Sequence, residues 1–109
     1  MKIFIAVENN AGLDSILDKR FGRAGYFMVY DMEDQEILSS EENKFKNDGH
    51  GVGIKIANLV VESCCQAVIG AQPGPKAVAI MEQAGVKIIV DDKGTVKEAL
   101  ARNRNALTI

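Results

Sequence analysis

Residues 51–71 decide the fold, and they read GVGIKIANLVVESCCQAVIGA. The first part of this stretch repeats apolar side chains at helical spacing, which predicts an amphipathic helix over about Gly51 to Cys64. The apolar run from Gln66 to Ala71 then predicts a buried strand. A helix that leads directly into a buried strand is typical of parallel α/β sheets, because parallel strands need a crossover connection of this length.

Three further strands are predicted upstream. Lys2 to Val7 is a nearly continuous apolar run, which predicts a first strand at the centre of the sheet. Tyr26 to Met32 and Gln35 to Glu41 are expected to form the second and third strands. The tight turn at Glu33-Asp34 makes these two strands an antiparallel hairpin.

Downstream, the pattern continues as helix, strand and helix. Pro73-Gly74-Pro75 predicts the start of a second helix, because proline is tolerated in a first turn, and Gly85 is suited to end it. Val86 to Val90 predicts the fifth strand, and a last helix is expected after Thr95. The inner faces of these two helices are expected to carry Ala77, Ile80, Met81, Ala84, Val96, Ala99 and Leu100.

The element order βββαβαβα predicts a single α/β domain over residues 1–109. Helical crossovers require parallel neighbours and the hairpin requires antiparallel ones, so we expect a five-stranded mixed sheet of order 3-2-1-4-5, with strand 2 antiparallel and three main helices. Loops 8–25, 43–51 and 71–74 then meet at one edge, which is the candidate site. Asp31 and Asp91 are expected at the opposite edge.

Composition excludes several classes of function. Thirteen Lys and Arg against fifteen Asp and Glu give a net charge of −2, which offers no general attraction for nucleic acid. No apolar run reaches the roughly 18 residues that a membrane span needs, and the apolar start is too short for a signal peptide. We therefore expect a cytoplasmic protein with no nucleic-acid partner and no membrane partner.

The two cysteines, Cys64 and Cys65, are neighbours. A bridge between them would close a small, strained ring, so a disulfide scaffold is excluded. Two thiols and the single histidine, His50, do not reach four metal ligands. A bound metal centre must therefore borrow ligands or arrive already built. Both thiols are expected in the core, since free cysteine is among the most buried residue types.

His50 precedes a predicted helix start, where Gly51 and Gly53 let the backbone approach a ligand closely. This loop should face the loop that carries Arg20 and Arg23, whose guanidinium groups suit an anionic ligand. The alternative is a flexible turn with a solvated histidine and solvated arginines.

No set of catalytic groups is expected to converge, which argues against an enzyme. The serines have no nucleophile-elbow setting, and the central strands carry no carboxylates for two-metal chemistry. The turn from Gly70 to Lys76 has the glycines of a phosphate-binding loop without its spacing or its terminal Ser or Thr. Its small residues are expected to keep a pocket open.

Several blocks occur in order along nearly the whole chain: Arg20-Phe21-Gly22-Arg23-Ala24 followed by Tyr26-Phe27, His50-Gly51-Val52-Gly53, Ala67-Val68-Ile69-Gly70, Gly74-Pro75-Lys76-Ala77 and Ala84-Gly85-Val86-Lys87. Together these blocks resemble the dinitrogenase iron-molybdenum cofactor family. Gly25 and Lys76 depart from the pattern, since they stand where proline and asparagine are common.

The resemblance implies a small three-layer, ribonuclease H-like domain that acts as a non-enzymatic carrier or chaperone. Its cargo would be a preassembled iron-sulfur or iron-molybdenum cluster, and its partners would be metallocluster donor or acceptor proteins. The residues expected to hold the cluster are His50 as the metal ligand, with Gly51, Gly53, Arg20, Gly22, Arg23 and Gly74. The alternative is a regulatory domain that binds a small anion or a protein partner at the same edge, without a cluster.

Overall fold

The computed structural model describes residues 1–107, which form five strands, four α-helices and one 3-10 turn at Gly12–Asp14. The strands are β1 (Lys2–Val7), β2 (Tyr26–Asp31), β3 (Glu36–Glu42), β4 (Ala67–Gly70) and β5 (Lys87–Val90). The helices are α1 (Val52–Glu62), α2 (Pro75–Gln83), α3 (Val96–Arg102) and a short α4 (Arg104–Leu107) that the sequence pattern did not predict. No helix in this range is long and apolar enough to cross a membrane.

The strands form one mixed sheet in the predicted order, β3-β2-β1-β4-β5. β2 runs antiparallel to both β1 and β3, whereas β4 is parallel to β1 and to β5. Ile5 of β1 pairs with Met28 on one side and with Ile69 on the other, so β1 is central as expected. Asp31 pairs with Lys2 and lies at the edge opposite the three loops, also as predicted.

Side chains of the sheet alternate between two apolar layers. Phe4 and Ala6 of β1 pack with residues of α1 and α2, such as Ile56 and Met81. The intervening residues of the same strand belong to the layer that contains Val96, Ala99 and Leu107 of α3 and α4. This alternation follows from the period of two in a strand and gives the three-layer, ribonuclease H-like arrangement that the resemblance implied.

The end of α1 corrects one prediction. The helix ends at Glu62 and the backbone turns into the left-handed region at Cys64, with φ of 58°. Cys65 is buried as expected, but Cys64 is exposed. The prediction that both thiols are packed was therefore wrong, because the turn at Cys64 directs that side chain outward and the next one, Cys65, into the core. Gly85, with φ of 78°, follows α2 as predicted.

Asp91 lies at the loop edge, and the prediction that it lies at the opposite edge was wrong. β5 is parallel to β1 and β4, so all three carboxyl ends point the same way, and the Asp91 N–H donates to the Gly70 carbonyl at 2.9 Å. The Asp91 carboxylate accepts two hydrogen bonds from Arg102, both at 2.9 Å, and one from Asn103 at 2.8 Å. It therefore holds the end of α3 against the sheet.

Candidate functional site

The first turns of α1 and α2 enclose a groove of about 360 Å³ at the loop edge of the sheet. Its lining comes entirely from the two helix starts: Gly51, Val52, Gly53, Ile54, Gly74, Pro75, Lys76 and Ala77. Three of the predicted site residues, Gly51, Gly53 and Gly74, are thus brought together in one groove. We call this feature the helix-start groove.

Both helix starts leave backbone donors open to a ligand. Gly51 precedes α1 with φ of 72° and Gly74 precedes α2, and neither helix has a side-chain cap within the described chain. The first N–H groups of an α-helix have no partner in the helix itself, so here they are available to an acceptor, except at Pro75, which has no N–H.

The electrostatics of the helix-start groove favour an anion. Two helix dipoles place partial positive charge at the same point, and Lys76 adds a full positive charge to the lining. The net charge of −2 for the whole chain therefore conceals a locally positive site.

The loop after β1 packs directly against this groove. A Cβ atom at Gly22 would stand 3.1 Å from Val52 Cγ1 and 3.2 Å from Gly53 N. A Cβ atom at Gly53 would stand 3.9 Å from Ala77 Cβ, on the α2 side. Glycine at position 22 therefore lets the loop that carries the arginines lie close against the start of α1, whereas the space between Gly53 and Ala77 would admit an ordinary side-chain contact.

Arg20 is held by a buried carboxylate. Asp18 is 2% exposed and accepts hydrogen bonds from Arg20 Nε at 3.1 Å, Arg20 Nη2 at 3.3 Å and the Arg20 backbone N–H at 2.9 Å. The side-chain hydrogen bond to Asp18, together with its charge, raises the pKa of the Arg20 guanidinium. Because Asp18 balances the charge, Arg20 attracts an anion less than the sequence suggested.

The same carboxylate explains why Gly25 suits this chain. Its backbone N–H donates to Asp18 Oδ2 at 3.2 Å, a bond that proline cannot make. A Cβ atom at Gly25 would stand 2.5 Å from the Glu8 carbonyl oxygen, so the backbone just before β2 also needs a residue without a side chain here.

Arg23 ties two loops together. Its Nη1 donates to the Lys46 carbonyl at 2.6 Å, which links the loop before β2 to the loop before α1. The ion pairs within residues 1–107 join other residues, so no carboxylate balances Arg23 there. Of the two predicted arginines, Arg23 is the one whose charge stays uncompensated at this edge.

His50 is exposed and stands one residue before Gly51, outside the lining of the helix-start groove. Across residues 1–107, no group of three His, Cys, Asp or Glu side chains is placed to hold a metal ion. Coordination of a metal by His50 therefore stays a prediction. In that case His50 would be the single protein ligand from this loop.

Asn43 is a residue at this edge that the sequence analysis missed. It is 3% exposed, and its amide nitrogen donates to the carbonyls of Gly22 and Ala24, both at 2.9 Å. Its Oδ1 accepts from the Phe45 N–H at 2.9 Å. Asn43 thus fixes the loop that packs on the groove. No local sequence signal marks it, because its partners lie 21 and 19 residues away along the chain.

Known proteins share this sequence and fold. The family model described as dinitrogenase iron-molybdenum cofactor matches residues 1–105. A Methanocaldococcus jannaschii protein, described as uncharacterized, is 32% identical over 102 residues, which cover 92% of this chain and 82% of that protein.

Two solved structures are similar over nearly the full length. The apo form of the orange protein from Desulfovibrio gigas has a TM-score of 0.86 and 31% identity, with coverage of 96% of this chain and 88% of that one. A putative NifB protein from Thermotoga has a TM-score of 0.78 and 31% identity, with coverage of 95% and 87%. The chain belongs to the dinitrogenase iron-molybdenum cofactor family.

Proposed function

We propose that this protein is a non-enzymatic, cytoplasmic carrier or chaperone that docks a preassembled iron-sulfur or iron-molybdenum cluster in the helix-start groove. The observation that carries the proposal is the convergence of two uncapped helix starts on a glycine-lined groove of about 360 Å³. Membership of the dinitrogenase iron-molybdenum cofactor family supports the choice of cargo.

The donor set fits a cluster that arrives already built. A sulfide-bridged cluster presents negatively charged acceptors, and concave sites rich in backbone N–H groups suit such anions. Because the described residues hold no three-ligand metal site, the protein would bind the cluster mainly through N–H groups and charge. Weak coordination also suits a carrier, since the cargo must leave again for an acceptor protein.

We assign His50 as the coordinating residue and Arg23 as the charged support. A neutral imidazole is a competent ligand for iron, and an exposed residue next to Gly51 can turn toward the groove. Arg20 would contribute through the loop that Asp18 holds, more than through its own charge. The partners would be metallocluster donor and acceptor proteins.

An anaerobic titration with a preassembled cluster tests this proposal. Wild-type protein should retain iron after gel filtration and show the absorption bands of the bound cluster. His50→Ala should weaken binding about tenfold or more, as expected for the loss of one ligand, while circular dichroism stays unchanged. Asn47→Ala, in the same exposed loop, is the matched control and should bind as the wild type does.

Arg23→Ala should weaken binding less than His50→Ala, and its effect should shrink as salt rises, because a charge contribution is screened. Equal affinity of the wild type and His50→Ala for the cluster would rule out coordination by His50. Failure of the wild-type protein to retain a cluster would rule out the proposed carrier function.

The second candidate function is a regulatory domain that binds a small anion or a protein partner at the same groove. The position of His50 outside the groove lining favours it, since N–H groups alone do not distinguish a cluster from an oxyanion. Saturable phosphate binding in the helix-start groove, without cluster uptake, would favour this function over that of a cluster carrier.

A further inference from the structure

The loop before α1 contains an aspartate that is followed directly by glycine, Asp48-Gly49. Glycine follows none of the other six aspartates of the chain, and no asparagine precedes a glycine. The residue after an aspartate matters because its backbone nitrogen can attack the side-chain carboxyl group, and a side chain on that residue hinders the approach. We propose that Asp48 is a covalent modification site, where the aspartate isomerises to isoaspartate with the Gly49 nitrogen as nucleophile.

The reaction consumes no reagent besides water. The Asp48 carboxylate takes up a proton from solvent, the Gly49 nitrogen forms a bond to Asp48 Cγ, and a Cγ–O bond breaks as water leaves with the proton of the nitrogen. The product of this step is a five-membered succinimide ring. A second water then adds to the Asp48 backbone carbonyl carbon, whose bond to the nitrogen breaks. The freed α-carboxyl group returns the proton to solvent, so the mass and charge of the protein are unchanged.

The structure leaves the attacking nitrogen free to turn. Gly49 is exposed, and a Cβ atom built there would meet nothing within 4 Å. Across residues 1–107, the Gly49 N–H donates no hydrogen bond. The Asp48 carboxylate pairs with Lys55 Nζ at 2.6 Å, but the two side chains are 36% and 45% exposed. Water and salt weaken such a pair, so the carboxyl group can swing to the Gly49 nitrogen while α1 and the sheet stay folded.

Asp14 shows how the fold protects a comparable pair. It precedes Ser15, whose side chain is also small, so residue types alone rank this pair next after Asp48-Gly49. Ser15, however, is fully buried, and its N–H donates to the Gly12 carbonyl at 3.0 Å. The Ser15 nitrogen cannot turn toward the Asp14 carboxyl group unless the 3-10 turn opens. The structure therefore singles out Asp48 from the candidates in the sequence.

Isomerisation at Asp48 changes the loop that carries His50. It lengthens the backbone by one carbon before Gly49 and moves the carboxylate to the α-carbon, away from Lys55. The ion pair that ties this loop to the first turn of α1 is then lost. Because His50 follows two residues later, its position relative to the helix-start groove changes as well.

Incubation of the full chain at neutral pH and physiological temperature for several weeks tests the proposal. The tryptic peptide of residues 47–55 should then appear as two species of equal mass, and an isoaspartyl methyltransferase with a labelled methyl donor should label one of them. Gly49→Ala should slow this conversion about tenfold or more, because a methyl group hinders the attack. Asp48→Glu should abolish it, since the corresponding ring has six members and closes far more slowly. Absence of the labelled species, or Gly49→Ala converting as fast as the wild type, would overturn the proposal.

A denaturant separates the effect of the fold from that of the residue types. In guanidinium chloride, isomerisation at Asp14 should become at least about tenfold faster than in the folded protein, whereas the rate at Asp48 should stay within about threefold. A rise of tenfold or more at Asp48 would show that the folded loop shields it and would overturn the proposal. Equal rates at Asp14 and Asp48 in the folded protein would overturn it as well.

Discussion

Asn43 shows how one buried side chain organises the candidate site. Its amide nitrogen donates hydrogen bonds to two carbonyls of the loop that carries Gly22, and its amide oxygen accepts one from the Phe45 N–H. One residue therefore supports both the loop that packs on the helix-start groove and the segment before α1, through Phe45. Its buried amide also has every partner it needs, which is the condition for a polar group in an interior to stabilise the fold.

Asn43→Ala should lower the free energy of unfolding by about 2 to 3 kcal/mol, because it leaves two carbonyls and one N–H without their partner. Asn43→Asp is the closest variant in shape, and it should also destabilise the protein, since a carboxylate cannot donate to the carbonyls of Gly22 and Ala24. Urea denaturation measures both. If the aspartate variant is as stable as wild type, the amide is not what holds the loop.

Substitutions at the two cysteines should change the free energy of unfolding in opposite directions. Cys64→Gly should raise the free energy of unfolding by about 0.5 to 1 kcal/mol, since its φ of 58° is costly for a side chain and free for glycine. Cys65→Ala should lower it by about 1 kcal/mol through lost packing, and urea denaturation measures both variants.

Burial also raises the pKa of the Cys65 thiol, so a thiol reagent at neutral pH should modify Cys64 first. Faster modification of Cys65 in the folded protein would contradict this.

At the scale of elements, the sequence predicted each strand and main helix from the spacing of apolar residues, because burial imposes that spacing. It also predicted that the loops before α1 and α2 meet at one edge, but not that the groove there would be lined by the two helix starts alone, without His50. It predicted His50 as the metal ligand and the two arginines as support for negative charge, from their residue types and their place at the loop edge. The structure shows that Asp18 and the Lys46 carbonyl already engage the two arginines.

Gly53→Ala tests the role of the helix starts. The added methyl group meets Ala77 Cβ at 3.9 Å, an ordinary contact, and alanine favours helix, so the free energy of unfolding should stay constant or rise by up to about 1 kcal/mol. The methyl group also points across the helix-start groove, so binding of an anion or cluster should weaken several-fold. Gly49→Ala, which meets nothing within 4 Å, is the control. Unchanged binding by Gly53→Ala would place the ligand elsewhere.

At the scale of the molecule, the strand order followed from a few rules. Two right-handed helical crossovers and one tight hairpin leave few ways to arrange five strands. The same rules place the carboxyl end of β5 beside those of β1 and β4, so Asp91, which follows β5, belongs at the loop edge and not at the opposite edge that the sequence analysis predicted. What the sequence could not show is the partner of Asp91, because Arg102 lies 11 residues further on, across a turn and a helix.

The contact between Asp91 and Arg102 predicts how the free energy of unfolding depends on pH. Burial alone would raise the pKa of Asp91, but hydrogen bonds from Arg102, Asn103 and the Lys93 backbone outweigh it and lower the pKa. A carboxylate with a lowered pKa in the folded state stabilises the protein above its unfolded pKa of about 3.9, and this stabilisation is lost as the pH falls through the folded pKa.

Asp91→Asn should therefore lower the free energy of unfolding by about 1 to 2 kcal/mol at pH 7, since the charge-assisted bonds to Arg102 become weaker. The difference from wild type should narrow as the pH falls below about 4, where wild-type Asp91 also becomes protonated. Denaturation across this pH range measures it, with Asp92→Asn as the neighbouring control. A difference that stays constant down to acid pH would mean that Asp91 acts through shape and not through charge, and α3 would then be held to the sheet by its apolar face alone.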